Sequence, residues 1–188
     1  FRLLAADSQG RQDASGTVTV LPSLSVAGIR AATDGSSVSL GRAVVTASFA
    51  GHLYAQQEDR ASGMRVNTAE AFPPGTRIWA TGTAATLAGE KVLNAQMMWA
   101  SETGPVPTPL TMSNRDAAAI RPGLHPAGLL IRTSGRITRV EADRFYLSDG
   151  STGGDGLAVL LPGFPAANTG RFAAVSGALG VTTGPNGP

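Results

Sequence analysis

The same succession of short β-rich runs occurs twice in this chain of 188 residues, and the second succession stops one run short. Runs of β-branched and aromatic residues between Gly, Pro and Asn turns predict strands. The first copy has runs at residues 37–49, 52–57, 63–67, 76–83 and 91–96. The second copy has runs at residues 129–141, 144–148, 157–161 and 171–179. The turn sequence Gly-Pro-Asn-Gly-Pro follows the last run, and no return strand comes after it.

Residues that match at a nearly constant spacing indicate that the two copies arose by duplication. Gly41-Arg42 aligns with Gly135-Arg136, and residues 79–82 align with residues 174–177. The offset stays at about 94 to 95 residues, as expected for an internal repeat. A glycine inside the first and fourth runs predicts a bulge or a sharp bend in those strands.

Five strands, with a bend in the first and a fifth that returns to it, are the plan of a small Greek-key barrel of the OB type. The sequence therefore predicts an all-β fold with two tandem OB-like five-stranded barrels. The second barrel lacks its own last strand, and we expect the N-terminal strand to complete it.

Five stretches of the sequence carry a resemblance to known domains: residues 53–66, 76–82, 109–115, 128–138 and 145–150. In these stretches the chain resembles the tandem OB-fold-like domains of large secreted or surface bacterial proteins, most of which have no assigned function. The resemblance covers roughly residues 25–180 and implies a fold while saying almost nothing about chemistry. The sequence departs from the pattern at its C-terminus and has no clear helix between the third and fourth strands.

The first six residues, Phe-Arg-Leu-Leu-Ala-Ala, predict a short strand with no partner beside it in sequence. When this segment is aligned with residues 91–96, Leu3 falls on Leu93 and Ala5 on Ala95. Phe1, Leu3 and Ala5 would then face a barrel core, because side chains alternate along a strand. Burial of each large apolar side chain contributes about 1.5–3 kcal/mol.

We therefore predict that the N-terminal segment is a donor strand for the second barrel. The predicted donor residues are Phe1, Leu3, Leu4 and Ala5. The predicted acceptor residues are Leu129, Ile131, Phe172, Ala174 and Leu179. The expected division of the chain is donor strand 1–8, tether 9–24, first barrel 25–103, linker with a short helix 104–128, and second barrel 129–188.

Three arrangements are consistent with the vacancy in the second barrel. The donor strand could enter another copy of the chain, as in donor-strand complementation, and a head-to-tail contact of that kind produces rings or filaments. The tether is also long enough for the strand to close its own chain. Alternatively, the fifth strand lies beyond Pro188.

Composition argues against several classes of partner. The isoelectric point is about 9.7, but the net charge is only +2 and the arginines are scattered, whereas a nucleic-acid binder concentrates its positive charge. No apolar run is long enough to span a bilayer. The chain has no cysteine and begins with Phe1 rather than Met, and few of its residues are charged. We expect an exported protein at the cell surface or outside the cell.

Residues suited to catalysis are sparse, and we predict a non-enzymatic protein without cofactor or metal. His52 and His125 lie far apart without cysteine, and the turn from Asp149 to Asp155 lacks the acidic ligand of a strong Ca²⁺ loop. The predicted function is a structural subunit that polymerises through the donor strand. The alternative is an OB-fold module that binds single-stranded nucleic acid or a glycan through an exposed face. That candidate face comprises Tyr54, Arg60, Arg65 and Tyr146.

Overall fold

The computed structural model describes residues 4–6, 12–14, 21–119 and 125–181. Within these ranges the chain is almost entirely β-structure with two short α-helices and one 3₁₀ turn at Ala166–Asn168. The strands are β1 Leu4–Ala6, β2 Gln12–Ala14, β3 Ser23–Leu24, β4 Ser37–Phe49, β5 His52–Gln56, β6 Gly63–Asn67, β7 Thr76–Leu87, β8 Glu90–Thr103, β9 Leu110–Thr111, β10 Leu130–Val140, β11 Arg144–Ser148, β12 Leu157–Leu160 and β13 Phe172–Ala178. The helices are α1 Val26–Ala31 and α2 Asn114–Ala118.

Strands β4 to β8 form a closed five-stranded barrel, which confirms the barrel predicted for the first copy. β4 pairs with β7 through its first part and with β5 through its last part. β5 pairs with β6, β6 lies parallel to β8, and β8 returns along β7. Irregularities in β4 after Leu40 and after Val45 bend this long strand so that it contacts both neighbours.

Alternate residues of the barrel strands fill its interior, as the period of a β-strand requires. Leu40, Leu53, Ile78 and Leu93 are fully buried in one cluster. Helix α1 covers this cluster with Val26 and Ile29, and the Ser25 hydroxyl accepts a hydrogen bond from the amide of Gly28 at the helix N-terminus.

Strands β10 to β13 form an open sheet in the order β12-β11-β10-β13, with β9 parallel to β10. Each strand has a counterpart in the barrel: β10 corresponds to β4, β11 to β5, β12 to β6 and β13 to β7. β9 and α2 likewise repeat β3 and α1, and Ser113 caps α2 as Ser25 caps α1. In the part of the chain that the structure describes, this sheet has no strand equivalent to β8.

Backbone hydrogen bonds fix the correspondence residue by residue. The amide of Gly35 donates to the carbonyl of Ala84 in the barrel, and the amide of Gly128 donates to the carbonyl of Leu179 in the open sheet. Both glycines have φ +86°. Residues 79–82 therefore do correspond to residues 174–177, as predicted.

The predicted alignment of Gly41 with Gly135 is wrong. Gly135 lies opposite Ala173 in a regular ladder, and the equivalent pair in the barrel is Ala43 with Ile78. Gly41 instead lies in the irregular part of β4, which is one residue longer there than the corresponding part of β10.

The N-terminal strand does have a partner beside it in sequence, contrary to our expectation. Leu4–Ala6 pairs antiparallel with Gln12–Ala14, so part of the expected tether is itself a strand. The end of the tether, Ser23–Leu24, also pairs with β4 and belongs to the barrel. Residues 15–20 of the expected tether lie outside the described residues.

The open sheet packs against the outer face of β5 and β6. The Gln56 side-chain oxygen accepts a 2.8 Å hydrogen bond from the amide of Leu130. A Cβ added at Gly63 would lie 2.2 Å from the carbonyl oxygen of Gly128, so the two backbones are in direct contact. Arg30 of α1 donates to the carbonyl of Ala127 at 2.7 Å. We call this contact between the barrel and the open sheet the junction.

Candidate assembly site

The candidate site is the gap between the free edges of β12 and β13. In the barrel, β8 lies between β6 and β7 and pairs with both strands. In the open sheet, the corresponding edges of β12 and β13 make no pairing with any described residue. Unpaired strand edges are sites at which another strand adds, because each presents a row of backbone donors and acceptors. We call this gap the slot.

Two equivalent glycines show that the described residues leave the slot open where β8 fills the barrel. A Cβ added at Gly82 would lie 2.0 Å from the carbonyl oxygen of Asn94 on β8. A Cβ added at Gly177, the equivalent position, meets no described atom within 4 Å. Gly82 is thus needed to let β8 approach, whereas no described residue approaches Gly177 in the same way.

An apolar cluster lies below the slot. Phe145 and Leu147 of β11 are buried, and the Phe145 ring stacks on Phe164 with centroids 4.2 Å apart. Val159 of β12 and Val175 of β13 pack on this cluster but stay partly exposed. The corresponding strands of the barrel bury their inward residues, since β8 covers them. A strand in the slot would therefore bury apolar surface as well as pair two edges.

The prediction of which β13 side chains point into the slot is wrong by one residue. Phe172 is 77% exposed and Ala174 also lies on the outer face, so neither lines the slot. Ala173 and Val175 face the apolar cluster instead. Ala173 lies opposite Gly135 in the ladder with β10, and this pairing sets which side of β13 points inward.

The other predicted acceptor residues lie together. Leu129 and Ile131 are buried in one cluster with Ala117 of α2, and Leu157 and Leu179 pack against it. Leu179 corresponds to Ala84, which faces Leu93 across the β7–β8 ladder.

The predicted alignment of the N-terminal segment gives a specific register in the slot. Phe1 takes the place of Lys91, and Leu3 that of Leu93, which is fully buried in the barrel. Leu4 takes the place of Asn94 and would carry its carbonyl over Gly177. Phe1–Leu3 and the side chains of residues 4–6 lie outside what the structure describes.

The residues of the candidate ligand face are not brought together on one free surface. Tyr54 is only 7% exposed, and a Cβ at Gly180 would lie 2.2 Å from its hydroxyl. Arg65 lies opposite Tyr54 and donates to Asn67. Arg60 donates to the carbonyl of Thr108 in the linker.

Tyr146, the last residue of that candidate face, lies on the open sheet. The Arg139 guanidinium sits 4.1 Å from the centre of the Tyr146 ring, and Arg139 also pairs with Glu141 and Asp155. Tyr146 is partly exposed.

Several acidic side chains and one histidine in the described ranges have structural partners. Asp149 accepts hydrogen bonds from Ser151 and from the amide of Asn114 at the start of α2, and these contacts lower its pKa. Asp155 pairs with Arg139, and the His52 ring stacks on Phe49. The described residues contain no group of three His, Cys, Asp or Glu side chains placed to hold a metal ion.

One buried carboxyl group lies at the junction. Glu90 is 1% exposed, and its Oε2 accepts from the Tyr54 hydroxyl at 3.5 Å and from the amide of Val181 at 3.4 Å. Burial raises the pKa of Glu90, although Arg65, Arg30 and these two donors oppose the shift. Burial, followed by the charge of Glu90, raises the pKa of Tyr54 to about 12.

The buried Glu90 predicts a pH-dependent stability. A raised pKa in the folded state stabilises the protein fully below the unfolded pKa near 4.5, and this stabilisation is lost as the pH rises through the folded pKa. We expect Glu90→Gln to remove this loss, so its melting temperature exceeds that of the parent chain increasingly as the pH rises. Thermal melts of both proteins from pH 4 to pH 8 measure the difference. Melting temperatures of the two proteins that differ by the same amount at every pH would contradict a raised pKa for Glu90.

No family model, curated protein or solved structure matches the chain. Among the described residues, no helix is long and apolar enough to cross a membrane. The geometry of the slot is therefore the main indication of what the protein does.

Proposed function

We propose that this protein is a structural subunit that assembles head-to-tail outside the cell. The N-terminal strand of one copy fills the slot of another and completes an OB-like barrel there. The assembly is a homopolymer with no catalytic role, and a filament on the cell surface is the form that we expect. The observation that carries the proposal is the open space at Gly177, where the equivalent Gly82 is covered by β8.

The sequence of the N-terminal segment supports this choice of occupant. Phe1, Leu3 and Ala5 have the phase of the inward residues of β8, where Leu93 is buried and Ala95 packs on the same cluster. The strand would gain a ladder on both sides, and each hydrogen bond contributes about 1 kcal/mol.

The pairing of β1 with β2 has to open before the strand can enter the slot. That pairing joins three residues on each side, in a separate two-stranded sheet. A two-stranded hairpin is only marginally stable in water. Insertion into the slot replaces it with pairing to two strands over an apolar cluster, so the exchange is favourable.

Removal of residues 1–8 is expected to abolish assembly while leaving the barrel and the open sheet folded. Size-exclusion chromatography and electron microscopy compare the shortened chain with the full chain. A synthetic peptide of residues 1–8 is then added to the shortened chain. A ligand that binds only the folded form stabilises it by about 2.7 kcal/mol at one hundred times its dissociation constant. We expect the peptide to raise the melting temperature and to slow hydrogen exchange in β12 and β13.

Two controls distinguish insertion of the peptide into the slot from nonspecific binding. Gly177→Val in the shortened chain should prevent the peptide effect, since a side chain there would meet the incoming carbonyl as it would at Gly82. A peptide carrying Leu3→Asp should bind much more weakly, because it would bury a charge. Assemblies of the shortened chain equal to those of the full chain would refute the proposal, as would a peptide without effect.

A further inference from the structure

The junction between the barrel and the open sheet has an equivalent surface on the open sheet that no other described strand or helix covers. The correspondence rests on one hydrogen bond that occurs twice. The Thr46 hydroxyl donates to the carbonyl of Tyr54, and the Thr138 hydroxyl donates to the carbonyl of Tyr146. Thr46 lies at a register shift in β4, and Thr138 lies at the equivalent shift in β10. Tyr146 on the open sheet is therefore the counterpart of Tyr54 on the barrel.

The outer face around Tyr54 is covered by the open sheet. Gly180 contacts the Tyr54 hydroxyl, Leu130 donates to Gln56, and Gly128 contacts Gly63. The counterparts of Tyr54, Gln56 and Gly63 are Tyr146, Ser148 and Gly156, and all three remain partly exposed. We call these three residues the Tyr146 face.

The segments that cover Tyr54 also have counterparts, and these are exposed on the barrel. Gly128 and Leu130 correspond to Gly35 and Ser37, since both pairs lie in the same ladder with the fourth strand. Gly180 corresponds to Ala85. Gly35 and Ser37 are exposed and Ala85 is partly exposed, so a second copy can present them.

The number of residues between the N-terminal strand and its own barrel supports docking by a second copy. Within one chain, β9 begins 14 positions after Gln96, and this connection brings the open sheet to the junction. In the proposed register Ala6 takes the place of Gln96, and β3 begins 17 positions after Ala6. A donor strand in the slot is thus joined to its own barrel by a connection of nearly the same length.

We infer that the barrel of the incoming copy docks on the Tyr146 face of the copy that receives its strand, repeating the junction between chains. Ser37 of the incoming copy then lies against Ser148, and Ala85 lies against Tyr146. This inference rests on the proposed function, and it adds that successive copies are packed rather than joined by flexible tethers.

Cross-linking tests the contact, because the chain has no cysteine of its own. Ser37→Cys and Ser148→Cys are introduced together in the full chain, and the thiols are oxidised or bridged with a short bis-maleimide. We expect a ladder of covalent oligomers on a non-reducing gel. Effective concentrations between linked modules reach the millimolar range, so the yield should exceed that of a mismatched pair by about tenfold or more. The mismatched pair is Ser37→Cys with Ser101→Cys, which is on the exposed part of β8.

The outcomes distinguish the two proposals. Assemblies that form and respond to removal of residues 1–8, yet give no ladder above the mismatched pair, overturn the packed contact and leave strand exchange standing. Absence of assemblies, together with a peptide of residues 1–8 that has no effect, overturns strand exchange and the packed contact with it. A ladder that is lost on removal of residues 1–8 supports both.

Discussion

The Gly82→Val variant is expected to lose about 3 kcal/mol or more of the unfolding free energy of the barrel, at the upper end of overpacking effects. The new side chain would collide with the backbone of Asn94, because the Cβ alone would come within 2.0 Å of its carbonyl oxygen. Backbone cannot move aside as a flexible side chain can, so β8 must separate from β7 at this point. Loss of that pairing would open the barrel.

Urea denaturation followed by tryptophan fluorescence measures this loss. Trp79 and Trp99 are the two tryptophans of the sequence, and they lie opposite each other on β7 and β8. The matched control is Gly177→Val in the chain that lacks residues 1–8. It places the same side chain at the equivalent position, where no described atom lies within 4 Å. We expect it to change the unfolding free energy by less than about 0.5 kcal/mol. Equal losses in both variants would show that the slot is filled in the free chain.

The Phe145→Ala variant is expected to unfold the open sheet while the barrel remains folded. Phe145 is 1% exposed and is the largest fully buried side chain in the described structure. Truncation of a buried phenylalanine costs about 3–5 kcal/mol. The open sheet has two small apolar clusters, and no described strand covers the open side of the cluster around Phe145. A loss of this size is therefore expected to exceed what the sheet can withstand.

Hydrogen exchange shows the effect of Phe145→Ala strand by strand. Protection should fall in β10 to β13 and persist in β4 to β8, and tryptophan fluorescence should still report a folded barrel. Phe172→Ala is the control, since Phe172 lies on the outer face of the same sheet and is 77% exposed. We expect that change to stay within about 0.5 kcal/mol. A larger effect from Phe172 than from Phe145 would mean that the inner and outer faces of β13 are reversed.

The barrel strands could be predicted from sequence because local signals agree with tertiary structure there. Alternation of apolar residues and Gly or Pro turns defined all five strands, and the two short helices carry Ser25 and Ser113 as caps. The ends of β7 and β8 were less clear. Both strands continue past the predicted limits, to Leu87 and Thr103, because they pair with each other beyond the barrel.

The phase of β13 could not be predicted from its own residues. Phe172 and Ala174 on one face are as apolar as Ala173 and Val175 on the other, so the pattern permits either orientation. Pairing with β10 determines which face of β13 points inward, and this pairing joins residues that are far apart in sequence.

The N-terminal hairpin and the junction also had no usable local signal. Gln12–Ala14 is polar and has little β-propensity, and it forms a strand because Leu4–Ala6 lies beside it. Direct backbone contact between Gly63 and Gly128 depends on how two units meet, which no run of residues reveals. The burial of Glu90 follows from the same contact.

In the assembly that we propose, the open sheet of each copy receives a strand and a different segment, at the N-terminus, supplies one. A contact between two different surfaces leaves one surface of each kind free after two copies have joined. Further copies therefore add until a ring closes or growth stops. The resulting polymer has a direction, and its two extremities differ in chemistry. One extremity carries an unfilled slot and the other carries an unused strand, so a short protein offering a strand alone would terminate growth at the first of them.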